Sequence, residues 1–197
     1  MSSKTIELRK HFDSLNWQIA ARGPDAAAPT LLVTWQVEPE PVDAGMPPLI
    51  QTVLTEALCG LGPCWFAGDP GGAKPVATLS LRRGLSRRQA MVFRAERAAE
   101  LLPAFEAGAH DWSMAAQWIV VTSGPFTVED ILPLIQTLLG DWELPADWPE
   151  EVPLIVQAGV DGDAAGCHCR TPEIEQELRG ALQRSAASHG VAVRSID

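Results

Sequence analysis

Pro-Leu-Ile-Gln-Thr occurs twice in the chain, as Pro48 to Thr52 and as Pro133 to Thr137, each time running into leucine-rich sequence. Proline presets φ and lacks an N–H, so it fits the first turn of a helix, where that donor would have no intrahelical partner. The first copy, preceded by Pro39, Pro41, Gly45 and Pro47, reads as a helix start. Leu49, Val53, Ala57 and Leu58 then follow at helical spacing, and Gly60, Gly62 and Pro63 end the helix. The second copy lies inside or early in a helix that Thr127 caps with Asp130 three residues on, as in a capping box, and that Gly140 closes.

Working outward, Leu32-Val33-Thr34 before the first copy matches Val120-Val121-Thr122 before the second. Both lie in β-prone runs, Leu31 to Val37 and Trp118 to Thr122. Each copy is followed by a loop containing tryptophan and proline, then a strand and a long helix. The reading is an α+β fold: a mixed β-sheet with helices packed against it, built from a duplicated β-α-β-α unit with pseudo-twofold symmetry. The pseudo-repeats cover 30–108 and 117–190 of a single domain spanning 1–197.

The other elements follow from period and punctuation. Leu8 and Phe12 share a helical stripe, which predicts an amphipathic N-terminal helix over 4–15. Trp17 to Ala21 alternates and pairs through the Gly23-Pro24-Asp25 turn with the run ending at Val37, as a hairpin. Residues 67–75 are loop by composition, and 76–82 alternates as a strand. Ser86 caps a long helix to about Ala107 through Met91, Ala95, Ala98, Leu102 and Phe105, with Pro103 kinking its last turns. Leu154, Ile155, Val156 and Val160 form a strand. Thr171 and Pro172 open a final helix through Ile174, Leu178 and Leu182; Gly190 stops it before a closing strand at Val191, Val193 and Ile196.

A chain of 197 residues, 46% hydrophobic, can bury a substantial core. Its net charge of -10 disfavours nucleic acid and favours a basic protein partner. The N-terminus has no apolar stretch of the secretory kind and no window is long enough to span a bilayer, so a cytoplasmic protein without membrane contact is expected. The 4 cysteines are too sparse for a disulfide scaffold and agree with a reducing compartment. A homodimer remains open.

Catalytic chemistry has no signal. His11, His110, His168 and His189 are scattered, and no nucleophile motif or phosphate-binding glycine loop accompanies them. Asp161-Gly162-Asp163 reads as a turn. Cys167, His168 and Cys169 carry the atoms of a zinc site, but a one-residue spacing does not suit chelation, and loop residues are the expectation. Cys59 and Cys64, with four residues between them, read as buried, inert thiols. Arg82, Arg83, Arg87, Arg88, Arg94 and Arg97 read as a solvated helical face laced with salt bridges to Glu96 and Glu100. No metal or cofactor is expected.

The remaining stretch places Trp142 and Trp148 among Glu143, Asp147, Glu150 and Glu151 in a proline-stiffened segment. Apolar anchors set among acids are what recognition of a basic protein requires. The expected function is an acidic binding protein that masks or neutralises a basic partner, like an immunity protein or a secretion chaperone. The competing class is an enzyme or a small-molecule or metal binder with its site between the duplicated halves.

Overall fold

Leu154 lies between Thr122 on one side and Cys169 on the other, and its neighbours continue both ladders into a single sheet. The computed structural model of the chain describes residues 4–9, 30–37, 46–68, 74–83, 86–109, 119–122, 124, 126–140, 148–158 and 164–196. Its strands are β1 (Lys4–Arg9), β2 (Leu31–Val37), β3 (Cys64–Gly68), β4 (Ala77–Arg83), β5 (Ser86–Ala95), β6 (Ile119–Thr122), β7 (Leu154–Ala158), β8 (Ala164–Cys169) and β9 (Ala192–Ile196). Among the described residues its helices are α1 (Pro48–Cys59), α2 (Ala98–Ala109), α3 (Val128–Gly140) and α4 (Pro172–Ser188). The 9-stranded sheet runs β4-β5-β3-β6-β7-β8-β2-β1-β9. All neighbours are antiparallel except β1 and β9, so the sheet is mixed, as an α+β fold requires.

Side chains alternate across the sheet, and both faces are apolar at its centre. Cys64 and Phe66 of β3, Phe93 and Ala95 of β5, Val120 of β6, and Leu154 and Val156 of β7 share one core with α1, α2 and α4. Trp65 and Ala67 of β3, Ala90 and Val92 of β5, Val121 of β6 and Ile155 of β7 point the other way, into a second core closed by α3. At the centre of the first core the rings of Phe66 and Phe93, opposite each other in register, lie 6.2 Å apart and tilted by 48°. That geometry favours edge-to-face attraction.

Several sequence expectations are overturned. The segment expected to open an N-terminal helix is β1 over its described residues. Ile6 and Leu8 enter the core at a spacing of two while Thr5 and Glu7 face the opposite side, and strands on both flanks pair with the segment. The long helix expected from Ser86 is instead β5 followed by α2. Met91, Phe93 and Ala95 feed one core and Ala90 and Val92 the other, so period two prevails over the helical spacing of Met91 and Ala95. Cys64–Gly68, not expected as a strand, is β3, every residue of it buried. The Cys167-His168-Cys169 segment belongs to β8 rather than to a loop. The expected strand at Trp17 to Ala21, Trp118 and Val160 lie outside the described residues.

Helix ends follow their sequence signals closely. Thr127 and Asp130 bond reciprocally at the start of α3, the Asp130 carboxylate accepting from the Thr127 N–H at 3.0 Å. Thr171 caps α4 with Pro172 in the first turn. The first Pro-Leu-Ile-Gln-Thr begins α1, whereas the second lies within α3, on the opposite face of the sheet. Both copies are helical, and in each the threonine hydroxyl donates to the carbonyl of its own proline, at 3.0 Å in α1 and 3.1 Å in α3. Among the described residues no helix is long and apolar enough to cross a membrane.

Phe66 is fully buried, so Phe66→Ala leaves a cavity at the centre of the sheet and is expected to cost roughly 3–5 kcal/mol. Val76 is 53% exposed, and Val76→Ala is expected to stay within about 0.5 kcal/mol. Urea denaturation at unchanged m-value checks both.

Candidate functional site

Thr122, Leu154 and Cys169 form one register row across β6, β7 and β8, so the segments just beyond them meet at one end of the sheet. These are the Gly124 loop leading to α3, the turn from Trp148 to Pro153, and Arg170 leading to α4. Arg170 binds them together. Its Nη2 donates to the carbonyls of Trp148 (2.7 Å) and Pro149 (2.6 Å), its Nε to Val152 O (3.1 Å), and its backbone N–H to Pro153 O (2.9 Å). The guanidinium also lies 4.9 Å from the centroid of the Trp148 ring, a favourable place for a planar cation. The indole N–H of Trp148 donates to Val152 O at 2.9 Å, closing the turn from inside.

Trp148 is therefore committed to internal contacts. Its ring is partly buried against the second core and its polar edge is satisfied. Glu150 and Glu151 are exposed on the turn that this clamp holds. The backbone N–H of Gly124 donates to Glu151 O at 3.4 Å, which brings the start of α3 alongside. Exposed Glu129 and Asp130 stand there, and exposed Glu173 stands at the start of α4, three residues past Arg170. Carboxylates in the first turn of a helix complement its dipole. The Thr127 hydroxyl and N–H hold the Asp130 carboxyl below its ordinary range, and the Thr171 hydroxyl does the same for Glu173. None of these five acids forms an ion pair among the described residues. Trp142, Glu143 and Asp147, from the same expected site, lie outside the described residues.

A second polar group occupies the sheet face opposite α1 and α4. Thr5, Glu7, Gln157 and His168 are all buried there, and Glu7 pairs with Arg9. His168 Nε2 and Gln157 Oε1 lie 3.0 Å apart. Burial lowers the His168 pKa to about 4, so the ring is neutral at pH 7. Cys167 and Cys169 enter the helix-covered core instead, and strand alternation sends His168 the other way, so the three cannot converge on one ion. Burial raises both thiols, Cys169 to about 11.

The arginine group is not one helical face. Arg82, Arg83, Arg87 and Arg88 lie on the β4–β5 hairpin, where Arg82 is the register partner of Arg87. Arg94 is at the end of β5, 5.6 Å from the Trp65 ring and paired with Glu96 at 3.2 Å; Arg97 precedes α2 and pairs with Glu100. Asp161-Gly162-Asp163, expected as a turn, lies outside the described residues. Arg170, Glu129 and Glu173 escaped the sequence reading. A lone arginine beside a helix cap carries no local signal, since its role depends on carbonyls about twenty residues upstream.

Comparison with protein-family models, curated proteins and solved structures finds no match to the chain.

Removing Arg170 strips donors from three carbonyls at once. Arg170→Ala is expected to cost about 2–4 kcal/mol, with Arg170→Lys recovering only part, because an ammonium cannot reproduce the planar fork. Thermal denaturation of the two variants is the check.

His168 gives a signed pH dependence. Its folded pKa of about 4 lies below the ordinary 6.5, so its contribution is complete above pH 6.5 and is lost as pH falls toward 4. The expected loss is on the order of 3 kcal/mol over that window. In His168→Gln the slope between pH 6.5 and 4.5, read from urea midpoints, should flatten.

Proposed function

We propose that the chain is an acidic binding protein that masks a basic protein partner, in the manner of an immunity protein or a secretion chaperone, and that it docks through the end organised by Arg170. The observation that carries this reading is the pairing of a rigid frame with uncompensated charge. Glu129, Asp130, Glu150, Glu151 and Glu173 are exposed around a turn whose central cation is consumed by backbone carbonyls. Preorganised carboxylates of this kind accelerate encounter with a basic surface and penalise acidic competitors. They also lose little conformational freedom on binding, because the helix starts and the clamped turn already hold their backbones.

The net charge of -10 extends the same bias over the whole molecule. Trp148 contributes by fixing the turn that carries Glu150 and Glu151. A cytoplasmic location fits a chain with four free cysteines, of which Cys64, Cys167 and Cys169 are buried.

Pull-down of the intact chain from extract of its source cells is expected to recover a basic protein whose binding weakens steeply with added salt. Reversing Glu150 and Glu151, exposed on the turn, to lysine together should weaken that complex at least about tenfold while leaving thermal stability near that of the parent. A complex indifferent to both salt and charge reversal would sink the proposal.

A further inference from the structure

Cys59 is the last residue of α1 and Cys64 the first of β3, and the turn between them doubles the chain back. Gly60 and Leu61 close the helix with backbone bonds to Glu56 O and Leu58 O, both 3.0 Å, and Gly62 takes φ 144, a region that side chains disfavour. The reversal sets the two side chains close enough to perturb each other, both as free thiols. Four intervening residues do not form the usual two-residue redox spacing, so the contact is a product of the fold.

The two sulfurs stand in unequal surroundings. Cys64 is fully buried, held in register between Ala95 and Thr122, with its thiol directed at Gly62 O at 3.5 Å. Cys59 is half-buried, at a helix terminus beside an exposed glycine. One cysteine is partly open to solvent while its neighbour is buried and held in the sheet, which is the arrangement of an attacking and a resolving thiol.

We propose that Cys59 and Cys64 form a reversible dithiol–disulfide site that exchanges with low-molecular-weight disulfides, Cys59 attacking and Cys64 resolving. The Cys59 thiolate attacks one sulfur of the small disulfide; the S–S bond breaks and one thiolate leaves with the electron pair and takes up a proton. Cys64 then gives its proton to solvent and attacks the Cys59 sulfur of the mixed disulfide, expelling the second small thiolate. The two protein thiols are oxidised to one disulfide and the small disulfide is reduced to two thiols. The neighbouring Cys64 side chain lowers the Cys59 thiol below its ordinary range, against the opposing effects of burial and of Glu100. Cys59 and burial together raise Cys64, so the less buried of the two carries the thiolate first.

Closing the bond adjusts the end of a helix and a four-residue turn, while β3 stays in place. Cys167 and Cys169 are an internal contrast. They stand two apart on one face of β8, both buried and both raised. The proposal is independent of the acidic-end reading, because its readout is covalent chemistry.

The test incubates the intact chain in graded mixtures of reduced and oxidised glutathione, quenches by alkylation, and maps the peptides by mass. The expected result is a peptide cross-linked between Cys59 and Cys64 in the oxidising mixtures and reversed in the reducing ones, with Cys167 and Cys169 alkylated only after unfolding. Cys64→Ser should accumulate a single glutathione adduct at Cys59, and Cys59→Ser should form no cross-link. Free Cys59 and Cys64 across the whole range, or a glutathione adduct on Cys59 that persists in the parent protein, would overturn the proposal. Should Cys64→Ser fail to fold, the cross-link in the parent decides alone.

Discussion

A sheet whose central strands are apolar on both faces must be covered twice, and this requirement organises the molecule. β3 sets the demand. All five of its residues are buried, with Phe66 facing one core and Trp65 the other. α1 answers on one face by packing between α2 and α4, and α3 answers on the other. Burial of this kind supplies most of the folding free energy, at roughly 25 cal/mol per Å² of apolar surface. Once the faces are covered, solvent-facing chemistry is left mainly to the termini of strands and helices, which is where the acidic group and the Cys59–Cys64 turn both lie.

That division explains which elements were legible in the sequence. Helix starts announce themselves locally: Thr127 with Asp130, Thr171 with Pro172 and Pro48 in α1 each satisfy or avoid an orphan N–H within a few residues. Strands buried on both faces lose the alternation that identifies half-buried ones. β5 therefore resembles a helix at Met91 and Ala95, and β3, five residues long, offers too short a window. β1 fails for another reason. Its strand character comes from β2 and β9, whose pairing partners lie far along the chain. Tertiary pairing outweighs a weak local stripe. Identical letters likewise take their environment from context: Gln51 is buried and donates to Met46 O at 2.7 Å, whereas Gln136, its counterpart in the second copy, is exposed.

Charge is distributed by the same logic. Arg94 with Glu96 and Arg97 with Glu100 are exposed pairs, worth little individually. Arg170 differs because carbonyls rather than a carboxylate take up its donors. The clamp thus takes its geometry from the backbone, and among the described residues Arg170 forms no ion pair with a nearby acid. At the other edge of the sheet, Arg82 and Arg87 occupy facing register positions in the β4–β5 hairpin. The acidic end was visible in the sequence as composition alone. Its frame was invisible, because Arg170 acts through residues brought near by the β7–β8 pairing.

The cysteines show why spacing becomes chemistry only after the element is known. Cys-His-Cys within a loop could turn three donors inward, but in β8 the alternation of the strand divides them, two into one core and His168 onto the opposite face. Cys59 and Cys64 present the reverse case. Four intervening residues in an extended strand would hold the sulfurs more than about 10 Å apart, whereas a helix end, a tight turn and a strand start fold the same interval back on itself. Gly62 makes that reversal possible with its φ of 144, and the sheet anchors the far side through Ala95 and Thr122. The thiols meet because the helix stops at Cys59 and the strand begins at Cys64. Lengthening the turn would separate them without altering either cysteine.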